Sequence, residues 1–250
     1  PAGHQPNFGV FMRVPFEDIL LLFILSFAFF LFGDNLIVAI FSERIEGQNQ
    51  LSSYQYFLYL ALSLLVDYFA IRFIILKKNR LTWSDIGLVR PPAGTVRLGI
   101  LVGLLALPFT TLVDTLVQSF LVPPDLSEQR HLLLGETFSQ QRLLLLIFLL
   151  GFLNPILQEL LFRGVALNWL RSRMSPITAL SLSAIFFGAA HGYLFLIPSL
   201  TALGFIFGLL VMKCGSLWPA AAAHCTYSCF QIMVAFQTLG VDDAAGASAG

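Results

Sequence analysis

Long apolar runs separated by short polar stretches are the main pattern along this chain. A membrane-spanning helix needs about 20 mostly apolar residues. The pattern therefore predicts an all-α fold, a polytopic transmembrane helical bundle of about seven or eight spans. Seven of these spans have the approximate ranges 18–42, 54–76, 97–121, 142–170, 176–197, 199–213 and 216–238.

The composition agrees with a membrane location. Of the 250 residues, 57% are hydrophobic and 11% are charged, whereas a soluble domain carries about 25% charged residues. The formal net charge is zero, which argues against nucleic acid as a partner because binding to phosphates needs a basic surface. Membrane lipid is the expected surrounding. Cys214, Cys225 and Cys229 are expected to be reduced, packed thiols.

Basic residues lie in three of the connections between the predicted spans. With seven spans, these connections share one side of the membrane, which the positive-inside rule makes cytoplasmic or the stromal equivalent. The compartment stays open between a bacterial inner membrane and an organellar membrane of the thylakoid type. The residues are Lys77, Lys78, Arg80, Arg90 and Arg97 in the first connection, Arg171 and Arg173 in the second, and Lys213 in the third.

Three polar side chains lie close together inside the fourth predicted span. Glu159 and Arg163 are four residues apart, so they share a helix face and are placed to form an ion pair. Gln158 points about 100° away from Glu159. Pro155 is expected to kink the helix and to free the carbonyl group of Gly151. Charged groups at this depth are rare and are functional-site candidates.

Two further spans carry histidines at similar depth. Phe187 and His191 are four residues apart in the fifth span, and His224 and Ser228 are four residues apart in the seventh. Given a rise of about 1.5 Å per residue, Glu159 and both histidines fall within a hydrocarbon core of about 30 Å. An acid or an imidazole from each of three spans predicts a shared site.

The residue types at this predicted site favour hydrolysis over metal binding. No close-spaced ligand pair such as HExxH occurs, so no metal and no cofactor is predicted. A carboxylate and an imidazole can polarise a water molecule as general bases. A second imidazole with a neighbouring amide or hydroxyl can donate hydrogen bonds to a developing oxyanion. This set of groups suits hydrolysis of an amide bond inside the membrane.

In order and spacing, these residues resemble the CPBP (CAAX protease and bacteriocin-processing, or Abi) family. It includes the type II CAAX prenyl endopeptidases, which are intramembrane glutamic proteases with the motifs EExxxR, FxxxH and HxxxN. The matching positions are Gln158–Arg163, Phe187–His191 and His224–Ser228. The resemblance covers roughly residues 80–232.

The resemblance implies roles for the matching residues. His191 would activate water together with the first glutamate of the family's acidic pair. His224 would donate to the oxyanion, together with the asparagine of the third motif. Glu159 and Arg163, facing the same cavity, would organise the site and contact the substrate.

Two positions depart from the family motifs. Gln158 replaces the water-activating glutamate and cannot take a proton, while Ser228 replaces the asparagine and donates from a shorter side chain. Three explanations stay open. Gln158 is an engineered substitution that traps an enzyme, or the enzyme works through His191 with Glu159 shifted by the Pro155 kink, or the chain is a natural non-catalytic member.

Two functions follow from this resemblance. The first is an intramembrane, metal-independent endopeptidase that hydrolyses an amide bond of a membrane-associated peptide, for example a prenylated one, with activity impaired at Gln158 and Ser228. The alternative is a catalytically lapsed member that acts as a scaffold, assembly or binding subunit of a larger membrane complex. Transport is the weakest hypothesis, because no inverted repeat is evident.

The chain is predicted to form one membrane-embedded domain, residues 1–250. Within it, the segment 81–92 is expected to be an amphipathic element at the membrane surface, with Trp83 at headgroup level. Asp114 is expected either to line the same cavity as the histidines or to bond a neighbouring helix, as are Asp34 and Asn35. The parts of the domain are an N-terminal segment 1–16, two spans and a linker 17–96, a CPBP-like core 97–238 and a disordered tail 239–250.

Overall fold

The structure is a computed structural model that describes residues 11–41, 43–45, 48–50, 53–123 and 139–248, with side chains described over 11–28, 55–123 and 139–237. Seven long helices make up most of the described chain, which confirms the all-α prediction. They are α1 (Phe16–Phe41), α2 (Ser53–Ala70), α3 (Thr95–Val117), α4 (Gln140–Arg171), α5 (Pro176–Ala189), α6 (Ile197–Cys214) and α7 (Trp218–Ser248).

Shorter elements connect these helices. β1 (Glu43–Ile45) and β2 (Gln48–Gln50) form an antiparallel hairpin between α1 and α2, with Glu43 opposite Gln50. A π-helical segment, Ile71–Lys77, continues α2, and a 3₁₀ turn, Leu194–Leu196, precedes α6. The sequence does not predict the hairpin, whose strands are only three residues long.

Four helical stretches in the described part of the chain are long and apolar enough to cross a membrane. They are Gln55–Lys77, Thr95–Val117, Gln140–Arg171 and Leu194–Cys214, and Pro176–Ala189 is a shorter apolar helix. These candidate spans indicate an integral membrane protein. Many of their large apolar side chains point outwards, as in Leu105 and Leu112 at 60% and 61% exposure, which fits a lipid-facing surface.

Helix α4 alternates between two kinds of winding. Its α-helical segment Asn154–Glu159 lies between the π-helical segments Ile147–Leu153 and Leu160–Leu167. A π-helical turn closes i→i+5 hydrogen bonds and often occurs at functional sites. π-Helical turns therefore separate the segment that contains Gln158 and Glu159 from both ends of the span.

Pro155 lies at the start of this α-helical segment and has no backbone N–H group to donate. Thiols of α7 contact the carbonyl groups one turn before it: Cys229 donates to Gly151 at 3.6 Å, and Cys225 donates to Phe152 at 3.7 Å. All three cysteines of the chain are free thiols. The carbonyl group of Gly151, which the sequence predicts to be freed by Pro155, thus accepts a hydrogen bond from a neighbouring helix; the kink stays a prediction.

Small residues bring α3 and α7 close together. A Cβ atom added to Gly103 would lie 2.3 Å from the carbonyl oxygen of Ala223 and 2.7 Å from the Cβ atom of Thr226. Both contacts are with atoms that cannot move without shifting α7. Since Ala223 precedes His224, this contact also fixes the depth of a site residue.

Replacing Gly103 by alanine is therefore expected to destabilise the fold by about 1–3 kcal/mol, the cost of inserting atoms into a packed interface. The measurement is the unfolding midpoint of the purified protein in detergent micelles. Leu112→Phe is the matched control, since it also enlarges a side chain of α3 but at a position that is 61% exposed. Equal midpoints for the two variants would contradict the close packing of α3 on α7.

The segment 81–92, which the sequence predicts to be an amphipathic element at the membrane surface, has one side buried against the protein and the other exposed. It is a series of turns that packs onto the protein, with Ile86 fully buried. The backbone N–H group of Leu217 donates to Gly87 at 2.9 Å, and the Ser216 hydroxyl donates to Val89 at 2.8 Å. These hydrogen bonds to the α6–α7 connection, which hydropathy does not reveal, hold the segment in place.

Three groups of sequence predictions stay without a structural test. The side chains of Asp34 and Asn35 are not among the described ones. Helix α7 includes most of residues 239–250, the predicted disordered tail. The division of the domain into four parts and its sidedness in the membrane stay predictions.

Candidate active site

Glu159 and Arg163 form a buried salt bridge on α4, as their spacing predicts. The Arg163 Nη1 group donates to Glu159 Oε1 at 2.9 Å, and both side chains are 1% exposed. The Nη2 group of Arg163 donates to the carbonyl oxygen of Gly204 on α6 at 3.0 Å. The guanidinium also lies over the ring of Phe187, 4.2 Å from its centroid. Arg163 therefore joins α4, α5 and α6 at the centre of the bundle.

The same carboxylate oxygen holds His224. The Nδ1 atom of His224 lies 2.9 Å from Glu159 Oε1, and the imidazole is buried. A carboxylate accepts hydrogen bonds, so Nδ1 carries a proton and Nε2 is the ring nitrogen left for a molecule in the cavity. The other oxygen, Glu159 Oε2, is buried and has no hydrogen-bond partner. Glu159 thus fixes the orientation of His224.

His191 is fixed by its own helix. It follows the last turn of α5, and its Nδ1 atom lies 2.8 Å from the carbonyl oxygen of Phe187. A carbonyl only accepts, so the proton of the neutral imidazole lies on Nδ1 and the lone pair lies on Nε2. His191 therefore offers a basic nitrogen, and the four-residue spacing to Phe187 is what sets its tautomer.

The ring of Phe187 lies between the charged and the imidazole groups. Its centroid is 5.0 Å from that of His191 and 5.5 Å from that of His224, with both pairs close to edge-to-face. The phenylalanine is 1% exposed. It therefore packs against both imidazole rings and against the Arg163 guanidinium, and it holds all three groups in position.

Gln158 makes a different contact from its neighbour Glu159. Its Nε2 group donates to Asn154 Oδ1 at 3.3 Å, and its Oε1 atom is buried without a partner. Asn154 was not recognised from the sequence, although it precedes Gln158 by four residues and therefore shares its helix face. The two amides form a neutral polar pair.

A cavity of about 430 Å³ brings these groups together. Four of the six predicted site residues line it: Gln158, His191, His224 and Ser228. Glu159 and Arg163 do not line it, so the prediction that this pair faces the cavity is wrong. They lie behind His224, because α4 turns its Asn154–Gln158 face to the cavity and a neighbour 100° away must point elsewhere.

Other cavity residues were not predicted as site residues. Asp114 of α3 lines the cavity, which is one of the two places that the sequence left open for it. The remaining polar lining residues come from α2, α6 and α7, and their helix faces could not be assigned from hydropathy. They are Tyr56, Tyr59, Ser63, Ser199, Tyr227 and Gln231.

Residues 140–230 match the family model described as type II CAAX prenyl endopeptidase Rce1-like. The chain contains a domain of this family. The Rce1-like domain includes all six predicted site residues and is shorter than the 80–232 stretch over which the sequence resembles the family. Neither a curated protein nor a solved structure gives a significant match.

The Rce1-like domain supplies only part of the cavity wall. Members of the Rce1-like family are CAAX-type intramembrane endopeptidases, and membership of this family implies membrane-associated peptide substrates. Asp114, Tyr56 and Tyr59 line the cavity from α3 and α2, which lie outside residues 140–230. Among the described residues, no group of three His, Cys, Asp or Glu side chains is placed to hold a metal ion.

Proposed function

We propose that this protein is an intramembrane endopeptidase that hydrolyses an amide bond of a membrane-associated peptide, such as a prenylated one, without a metal ion. The observation that carries the proposal is the pair of imidazoles in one cavity. Each has its Nδ1 atom engaged, by Phe187 or by Glu159, at 2.8 and 2.9 Å. Each therefore presents Nε2 to a bound peptide.

His191 acts as the general base in this mechanism. Its Nε2 lone pair takes a proton from a water molecule as the oxygen attacks the peptide carbonyl carbon. The same nitrogen then returns the proton to the leaving amine as the C–N bond breaks. Only one proton is shuttled, so a single well-oriented imidazole suffices for both transfers.

His224 stabilises the oxyanion that forms during the attack. With a proton on both ring nitrogens, its Nε2–H group donates to the oxyanion while Nδ1–H donates to Glu159. The carboxylate already balances the charge of Arg163, so an imidazolium would give this cluster one net positive charge opposite the developing negative one. The hydroxyl of Ser228, one turn further along α7, supports this role as a second donor.

Gln158 limits the rate in this mechanism. Its amide can orient water or a peptide group but cannot accept a proton, and Asn154 holds it in place at 3.3 Å. A positioned general base contributes about 10²–10⁴ to the rate. Hydrolysis through His191 alone is therefore expected to be slow.

Removing the imidazole of His191 tests the proposal. The His191→Ala variant is expected to cleave an internally quenched, prenylated peptide about 10²–10⁴ times more slowly than the parent chain, because the base is gone. The assay uses the full chain in lipid nanodiscs, with a metal chelator present. Phe186→Ala is the control, since Phe186 is a lipid-facing residue of the same helix with 50% exposure. An unaltered rate in His191→Ala would exclude this mechanism.

A second candidate function is a binding or assembly subunit of a larger membrane complex. It is favoured by the neutral Asn154–Gln158 pair, in which the unpartnered Oε1 atom of Gln158 can accept a hydrogen bond from a peptide backbone without cleaving it. This function predicts retention of the peptide by the parent chain without any His191-dependent product. Mass spectrometry of the peptide after prolonged incubation distinguishes the two.

The proposed membrane arrangement has seven spans. It adds α1, α5 and α7 to the four candidate spans, and it supports the placement of the basic connections on one side. Cysteine accessibility at Lys213 and Arg173, each replaced by cysteine in turn, tests this arrangement. Labelling from opposite sides of the membrane would exclude it.

A further inference from the structure

Asp114 is an acidic residue of the cavity that the hydrolysis mechanism does not use. It lies on α3 near the end of the helix and lines the cavity shared with both histidines. One of its carboxylate oxygens, Oδ1, is buried and has no hydrogen-bond partner. A buried carboxylate oxygen without a partner costs free energy unless the group is paired or protonated.

The polar groups described around Asp114 leave its Oδ1 atom without a hydrogen bond. Ser199 hydrogen-bonds to the Asp114 carboxylate, and its hydroxyl also lies 3.1 Å from the carbonyl oxygen of Leu196. The Tyr227 hydroxyl donates to Thr110 Oγ1 at 3.4 Å and accepts from Gln231 Nε2 at 2.7 Å. These neighbours form their own hydrogen bonds and leave Oδ1 of Asp114 available to a ligand.

The described cavity wall contains no lysine or arginine. The Arg163 guanidinium belongs to the candidate active site but does not line the cavity. It is 1% exposed and is paired with Glu159. Asp114 is the one acidic side chain in the described cavity wall, and no lysine or arginine there balances its charge. A cationic group of a bound molecule would remove this imbalance.

We propose that Asp114 forms a subsite for the cationic side chain of a lysine or arginine in a peptide bound in the cavity. Tyr56 and Tyr59 line the same cavity with their ring centroids 5.7 Å apart, and aromatic faces also attract cations. The subsite deepens the proposed function, on which it rests for the statement that the bound molecule is a peptide. It narrows the substrate class to membrane-associated peptides with a basic residue near the bound segment.

The test compares two peptides that differ in one group. Both are prenylated and fluorescent, and one carries lysine where the other carries norleucine, which has nearly the same length and no charge. Dissociation constants for the full chain in nanodiscs are expected to favour the lysine peptide about tenfold, the effect of one hydrogen bond to a charged group. In Asp114→Asn, the ratio is expected to fall to about one, since the amide removes the charge and keeps the shape.

Asp67→Asn is the matched control, because Asp67 is an intramembrane acid of α2 that does not line the cavity. It is expected to retain the tenfold ratio. Equal binding of the two peptides by the parent chain would overturn the subsite, and so would an unchanged ratio in Asp114→Asn. The first result is also the one expected if Asp114 is permanently protonated.

The ratio of the two dissociation constants and the cleavage of the peptides are measured separately in this experiment. A tenfold ratio that depends on Asp114, without any cleaved product, would overturn hydrolysis and uphold the subsite. Cleavage of both peptides at equal efficiency, with equal binding, would uphold hydrolysis and overturn the subsite. The two failures are therefore distinguishable.

Discussion

Gln158→Glu is expected to hydrolyse membrane-associated peptides about 10²–10⁴ times faster than the chain with glutamine, the contribution of a positioned general base. The substitution replaces one buried amide atom by a carboxylate oxygen, in the cavity that also contains His191. The new carboxylate can accept the proton of the attacking water, a step for which the parent chain has only an imidazole. The measurement is the rate of peptide cleavage in nanodiscs with substrate below saturation.

Gln158→Met is the control for this prediction, since methionine has a similar length and no acid. It is expected to show no gain, because only the carboxylate can act as a base. Both variants are compared at equal amounts of folded protein, judged by size-exclusion chromatography. If Gln158→Glu is folded and gains nothing, Gln158 does not limit the rate of hydrolysis, and the binding function becomes the better explanation.

Arg163→Met is expected to lower the free energy of unfolding by about 3–5 kcal/mol, the usual cost of breaking a buried ion pair. The loss of the guanidinium leaves the Glu159 carboxylate buried with His224 as its remaining partner. It also leaves the carbonyl of Gly204 without the donor that lies at 3.0 Å. The effect is measured by unfolding in detergent micelles with increasing denaturant.

A double variant separates charge from packing at this pair. Glu159→Gln combined with Arg163→Met removes both charges, and it is expected to recover part of the stability lost in Arg163→Met alone. Arg90→Met is the surface control, because Arg90 is exposed and its loss is expected to cost less than about 0.5 kcal/mol. A double variant less stable than Arg163→Met would mean that the carboxylate stabilises the fold without its guanidinium.

The helices could be predicted from the sequence because lipid imposes a simple length rule on apolar runs. The ion pair between Glu159 and Arg163 could also be predicted, since both residues belong to one helix and four residues bring side chains onto one face. The convergence of His191 and His224 was expected only from depth and from family resemblance. In the structure, both line one cavity.

The sequence could not predict which face of α4 lines the cavity, because the helix is not wound uniformly. The 100° step per residue holds for an α-helix, whereas the segments Ile147–Leu153 and Leu160–Leu167 are π-helical. Which side of Asn154–Glu159 meets the cavity then depends on contacts with α6 and α7. Asp114 and Asn154 could not be placed for a second reason, because the rotation of a helix about its axis is set by tertiary packing.

The docking of the segment 81–92 has a similar cause. Its tryptophan and its two prolines are typical of a membrane interface, and hydropathy alone cannot distinguish the membrane surface from the protein surface. The deciding groups are the backbone atoms of Gly87 and Val89, which accept hydrogen bonds from the α6–α7 connection. Backbone pairing of this kind leaves no trace in side-chain composition.

π-Helical turns lie on both sides of Asn154–Glu159. The rotation of this short α-helical stretch about the helix axis is therefore set separately from the rest of the span. If the winding of the flanking turns changed by one residue, the segment Asn154–Glu159 would rotate by about 100° about the helix axis. Glu159 would then occupy the direction in which Gln158 now points, and the cavity wall would change from a neutral amide to an acid without any substitution. In the winding that the structure shows, the bonds of Glu159 to Arg163 and His224 hold the amide of Gln158 in the cavity wall and keep the acid behind it.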